Sequence, residues 1–142
     1  MKRRDLLRTI GAAAVTAVAI PSFAQHDQHH RGAKNQALIS AASDCSNKAE
    51  VCVSHCQEWL SQGDKTLAVC AAAAREVAVA CDALRSLAAQ NAPSLPQFAK
   101  VTADVCKNCE AECGKHEKHQ ACKDCADACA ACRAECVKTA AA

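Results

Sequence analysis

Thirteen cysteines fall on a helical heptad grid in this 142-residue chain, and no other feature restricts its fold as strongly. The clearest run is Cys122, Cys125, Cys129, Cys132 and Cys136, spaced three, four, three, four. Residues three and four apart share one face of an α-helix, so these five sulfurs make a single stripe about 21 Å long at roughly 1.5 Å rise per residue. The grid continues in Cys106, Cys109 and Cys113, in Cys45, Cys52 and Cys56, and in Cys70 and Cys81, which are three turns apart. The stripe occupies the face where a helical bundle normally keeps leucine.

A chain of this length has room for one domain with a modest core. Its hydrophobic fraction of 51% is carried largely by Ala, Cys, Val and Leu, with a single Trp, two Phe and no Tyr. Aromatic packing therefore cannot fill the interior. The formal charge of +2 is concentrated at the start, where Lys2, Arg3, Arg4 and Arg8 accompany Asp5. Without residues 1–24 the remainder holds 13 basic and 14 acidic side chains, a balance that argues against nucleic acid or an anionic membrane surface as partner.

Residues 1–24 read as a targeting leader. Lys2-Arg3-Arg4-Asp5-Leu6-Leu7 resembles a twin-arginine motif, and Ser22-Phe23-Ala24 is a small-x-small cleavage site. The apolar stretch Ile10–Ile20 is short for a bilayer span, which favours cleavage over a retained anchor. Export of an already folded protein to a periplasmic or other extracytoplasmic space is the expectation, with no stable membrane insertion afterwards. Residues 25–34, containing His26, His29, His30 and Gly32, show no apolar period and read as a flexible tail.

Residues 35–140 are expected to form an all-α, antiparallel up-down-up-down four-helix bundle. The first helix, about Asn35 to Gln62, carries Leu38, Ala42, Cys45, Ala49, Cys52, Cys56 and Trp59 at core steps of four and three, and Gly63 ends it. Asp64 is placed to cap a second helix of about Lys65 to Gln90, with Leu67, Cys70, Ala74, Val77, Cys81, Leu84 and Ala88 inward. Asn91-Ala92-Pro93 breaks that helix, and Ser94-Leu95-Pro96-Gln97 has the pattern of a capping box for the third. The third helix offers Leu95, Ala99, Thr102, Cys106, Cys109 and Cys113 until Gly114 stops it, and the fourth runs from about Lys118 to Thr139. Short connections make consecutive helices antiparallel neighbours, which brings the Gly63 and Gly114–Glu117 turns, with His55, His116 and His119, to one end.

The spacing has a chemical consequence. Cys-x-x-x-Cys occurs at Cys52/Cys56, Cys109/Cys113, Cys125/Cys129 and Cys132/Cys136, and Cys-x-x-Cys at Cys106/Cys109, Cys122/Cys125 and Cys129/Cys132. In a loop such pairs chelate tetrahedral zinc; within a continuous helix they set sulfurs side by side toward the bundle axis. That arrangement suits Cu(I), a soft ion that accepts two or three thiolates, and it repeats to give many sites. Sharing of thiolates would raise the load from roughly six ions toward roughly thirteen. Burial is expected to keep the metal-free thiols neutral, so loading should release protons.

Other readings compete for the same residues. Cysteine can serve as a small core hydrophobe. An exported Cys-rich chain can be disulfide-stapled, although the odd count and long helices depart from that class. A ferredoxin-type cluster run is missing, because the spacing is wrong and no proline follows Cys136. Cys113-x2-His116-x2-His119-x2-Cys122 could hold zinc, or His116 and His119 could relay metal at the bundle mouth, or the turn could simply be solvated. His55 lies off the stripe and reads as a bystander, and the tail histidines could touch Cu(II). No single cysteine stands beside a base in a cleft as a catalytic thiol would, so the chain does not read as an enzyme.

Through the Cys122-Lys-Asp-Cys125-Ala-Asp-Ala-Cys129-Ala-Ala-Cys132-Arg-Ala-Glu-Cys136 helix and the Cys106-x2-Cys109-x3-Cys113 helix, the chain resembles the copper storage proteins, four-helix bundles lined with cysteines. The resemblance covers about Asn35 to Thr139. It implies storage of many Cu(I) ions on the thirteen cysteines, exchange with copper donors and copper-requiring acceptor proteins through the histidine-bearing mouth, and assembly as a tetramer of bundles. The sole Met is the initiator, so thioether ligands used by relatives at the mouth are missing here.

Overall fold

Alanine and straight-chain residues favour helix most, and the chain places them between its cysteines. The computed structural model describes residues 34–142, which form four helices: α1 (Gln36–Ser61), α2 (Ala68–Ala89), α3 (Leu95–Cys113) and α4 (Gln120–Ala140). A 3-10 turn, Gly114–His116, leads from α3 toward α4. The leader and the tail histidines lie outside the described residues. No described helix is long and apolar enough to cross a membrane.

Each helix packs on its sequence neighbours, and α1 closes the ring against α4. The result is the four-helix bundle expected from the short connections, with α2 and α4 facing one another across the axis. The heptad residues are inside: Leu38, Ala42 and Ala49 on α1, Ala74, Val77 and Leu84 on α2, and Ala99 and Thr102 on α3 are buried, as are all thirteen cysteines. Leu38, Ala42, Leu84, Ala88, Leu95 and Ala99 form an apolar base around the level of Cys136, at the end opposite the Gly63 turn. Burying one leucine there stabilises the fold by about 1.5–3 kcal/mol.

The helix ends differ from expectation in instructive ways. At the end of α1 the N–H of Gly63 donates to Leu60 O and that of Asp64 to Trp59 O, a Schellman closure that requires the positive φ of 89° at Gly63. The same closure ends α2: Asn91 takes φ 49°, its N–H donates to Ala88 O, and Ala92 N–H donates to Leu87 O. The break therefore sits at Asn91, ahead of the proline. Asp64 does not cap α2; its carboxylate accepts from Thr66 N–H at 2.9 Å in a local turn, and α2 starts only at Ala68. The capping box at Ser94 also fails to form. Ser94 is in the right-handed helical region and Pro96, two residues on, has no N–H to offer its hydroxyl. Gly114 is likewise helical, with φ −60°, so the chain leaves α3 by tightening into the 3-10 turn. The extended His119 then begins α4.

Polar contacts fix the arrangement from outside. Asn35 Nδ2 donates to Ala88 O and Asn91 Oδ1, tying the start of α1 to the end of α2. Ser46 on α1 donates to Asp82 on α2 at 2.9 Å, and Arg133 on α4 makes two hydrogen bonds to Glu110 on α3. Partly solvated ion pairs of this kind contribute about 1 kcal/mol or less each.

Candidate metal centre

The i,i+4 pairs meet as the helical spacing requires: Sγ atoms are 3.9 Å apart in Cys52/Cys56, 3.7 Å in Cys109/Cys113 and 4.0 Å in Cys132/Cys136. The larger effect is between helices. With small residues around them, the thiols reach across the axis: Cys70 on α2 touches Cys122 on α4 at 3.7 Å, Cys81 touches Cys132 at 3.7 Å, and Cys52 on α1 touches Cys113 on α3 at 4.0 Å. Adjacent helices add Cys45/Cys129, Cys52/Cys70 and Cys109/Cys125, each at 3.7 Å, and Cys52/Cys122 at 3.8 Å. All thirteen thiols are free, with sulfurs too far apart for the roughly 2 Å of a disulfide.

Four groups have every sulfur within 4.8 Å of the others. Cys52, Cys56, Cys70 and Cys122 form a quartet next to the Gly63 end, and Cys45, Cys81, Cys106 and Cys132 form another near the base. Between them lie the trios Cys52, Cys113, Cys125 and Cys109, Cys125, Cys129. Cys52 and Cys125 each belong to two groups. Cys136 joins through its contact with Cys132. With metal–sulfur bonds of about 2.3 Å, sulfurs in trigonal coordination stand about 4.0 Å apart and in linear coordination about 4.6 Å, so these spacings need little rearrangement to hold metal.

Burial and the sulfur–sulfur contacts shift the thiols in both directions. Burial pushes Cys56 up to about 11 and Cys122 up to about 12, in both cases aided by negative charge on Cys70. Cys45, Cys52, Cys81, Cys113, Cys129 and Cys136 also rise. Cys70 moves the other way, lowered by its hydrogen-bond contacts with Cys113 and Cys52. Contacts with Cys129 and Cys132 lower Cys106, and contacts with Cys109 and Cys113 lower Cys125. In a buried sulfur network each hydrogen bond favours the ionised form of one partner and the protonated form of the other.

The histidines gather at the end of the Gly63 turn. His55 Nε2 and His119 Nδ1 are 3.0 Å apart, and the Trp59 ring lies 5.0 Å from the His119 ring in an edge-on arrangement. His119 is 9% exposed, and its desolvation, with His55 beside it, lowers its pKa below the usual histidine value. His55, expected to be a bystander, is thus a partner of His119. Trp59, expected in the core, is 36% exposed and covers this cluster from the rim. His116 is half-buried in the 3-10 turn. The Cys113, His116, His119, Cys122 bracket is not among the close groups, which contain cysteine alone among the described residues. The extended backbone of His119 turns its ring onto His55 and Trp59 instead. Leu67, fully buried at the start of α2, packs into the core at the same end.

Comparison with known proteins agrees with this geometry. Residues 29–141 match the family described as copper storage protein. An uncharacterized cysteine-rich protein, YhjQ of Bacillus subtilis, is 33% identical over 107 residues, spanning 75% of this chain and 96% of the relative. The apo form of copper storage protein 3 from Bacillus subtilis superposes with a TM-score of 0.67 at 30% identity, covering 75% of this chain and 98% of the other. The Cu(I)-bound copper storage protein BsCsp3 superposes with a TM-score of 0.68 at 30% identity, covering 75% and 97%. Shared sequence across the bundle, the same four-helix fold and an interior of free thiols place this chain in the copper storage protein family.

Proposed function

We propose that this protein stores multiple Cu(I) ions on the thiolates of Cys45, Cys52, Cys56, Cys70, Cys81, Cys106, Cys109, Cys113, Cys122, Cys125, Cys129, Cys132 and Cys136, buffering copper and supplying it to copper-requiring proteins outside the cytoplasm. The observation that carries this reading is the meeting of sulfurs from all four helices at 3.3–4.0 Å across the axis, with Cys52 and Cys125 shared between groups. Shared thiolates let neighbouring ions bridge, so the cysteines act as one continuous store. Redundant, buried sulfurs serve for holding cargo; a catalytic thiol needs a substrate cleft and one activated position.

The store exchanges copper at the end bearing His55, His116 and His119, where Trp59 is at the rim and the first quartet lies just inside. Donor and acceptor proteins dock at this end, and the twin-arginine leader delivers the folded bundle to them. Anaerobic titration of the reduced protein with Cu(I), against a competing chelator, tests the central claim. Many more than two equivalents are expected to bind, and saturation at two or fewer would end the storage reading.

A further inference from the structure

The quartet nearest the mouth has a geometry that copper storage does not require. Four of its six sulfur–sulfur edges are 3.7–3.9 Å: Cys52/Cys56, Cys52/Cys70, Cys52/Cys122 and Cys70/Cys122, and the others are within 4.8 Å. A regular tetrahedron around a metal with bonds of about 2.3 Å has edges of about 3.8 Å. Cu(I) in a thiol-rich core is satisfied with two or three sulfurs, whereas a tetrahedron of four is the arrangement that suits zinc and its heavier congener cadmium. Three different helices, α1, α2 and α4, supply the four ligands, so the bundle itself maintains the tetrahedron.

We infer that Cys52, Cys56, Cys70 and Cys122 form a tetrathiolate site for one divalent d10 cation, zinc or cadmium, at the mouth of the core. This goes beyond Cu(I) storage and does not depend on it. On binding, the cation takes up four thiolates, and each proton those sulfurs still held passes to solvent. The complex carries two negative charges in a buried place, which would be costly without donors. Cys113 answers that cost: its Sγ is 3.3 Å from Cys70 and 4.0 Å from Cys52, where its S–H can donate to the metal-bound sulfurs. The deeper quartet of Cys45, Cys81, Cys106 and Cys132 has one contact of 3.7 Å, Cys81/Cys132, with its other sulfurs within 4.8 Å, and matches the tetrahedron less closely.

The test uses the full chain, reduced and anaerobic, with cadmium as probe because sulfur-to-cadmium absorption and cadmium-113 resonance separate four-sulfur from mixed or imidazole coordination. The first equivalent is expected to give a four-sulfur signal. In Cys56→Ser that signal should change to three-sulfur coordination and affinity should fall at least about tenfold, while Cys81→Ser, altered in the deeper quartet, should keep it. Helical circular dichroism of both variants checks that they are folded. A first equivalent that remains four-sulfur in Cys56→Ser, or that is lost in Cys81→Ser, overturns the assignment, as does cadmium uptake with no four-sulfur stage. Cu(I) capacity measured on the same variants separates the two readings. Absent cadmium coordination with copper uptake intact removes the tetrathiolate site and leaves storage standing.

Discussion

Cys70 Sγ on α2 lies 3.3 Å from Cys113 Sγ at the end of α3, the shortest of the sulfur–sulfur contacts in the core. Contacts with Cys113 and Cys52 lower the Cys70 thiol, while burial pushes Cys56 up to about 11 and Cys122 up to about 12.

Alkaline titration of the metal-free protein exposes this. Between pH 9 and about 11 to 12 the unfolded chain has lost the protons of Cys56 and Cys122 while the folded bundle still holds them. The native state then binds more protons, so stability declines as pH rises, by about 1.4 kcal/mol per unit for each thiol. Circular dichroism at neutral pH should show a strongly helical reduced protein, and its denaturation midpoint should move down through this window. A midpoint that does not move, or a coil-like spectrum without metal, contradicts the account.

Replacing Cys122, Cys125, Cys129, Cys132 and Cys136 together with serine removes a member from each of the four sulfur groups. Serine fits the space and is a poor ligand for soft metal. Cu(I) capacity should fall by a third or more of the parental load, roughly in line with the five sulfurs lost. Capacity equal to the parent's would exclude α4 as part of the store.

At the mouth, changing His116 and His119 to alanine should slow both Cu(I) loading and its removal by a chelator, several-fold, with total capacity unchanged. Imidazole holds Cu(I) less firmly than thiolate and serves as a passing ligand. Because the His119 ring lies 5.0 Å from Trp59, the same variant should alter tryptophan emission even without metal. Parental kinetics would leave these histidines as packing residues, and a large loss of capacity would indicate a site built with Cys113 and Cys122.

Export is open to a direct trial. Arg3→Lys with Arg4→Lys should leave the precursor, still carrying residues 1–24, in the cytoplasm. Cell fractionation that finds the variant processed and exported like the parent refutes a twin-arginine route.

The step of four and three identified the central inward stripe of each helix, because one face of each must be covered whatever its partner is, but not Val53 and Ala78, which are buried beside it. Trp59 departs from the pattern: it continues the α1 stripe, yet it stands in the last turn, where the bundle opens and no opposite helix covers it. Spacing along one helix could reveal Cys109/Cys113 but not Cys45/Cys129 or Cys81/Cys132, since those contacts depend on how far across the axis two helices reach. His55 and His119 are likewise 64 residues apart and meet only in the folded bundle. Asp64 and Ser94 had the chemistry of caps, but the local backbone and Pro96 denied them a helical N–H.

The apolar base of Leu38, Leu84 and Leu95 has a consequence for the order of traffic. With leucine closing one end and histidine standing at the other, exchange through the histidine end alone would press an ion that enters early deeper as others follow. Copper would then leave in reverse order of arrival, the most recent ions first and quickly, the oldest last and slowly. A full store and a nearly empty one would then deliver at different speeds.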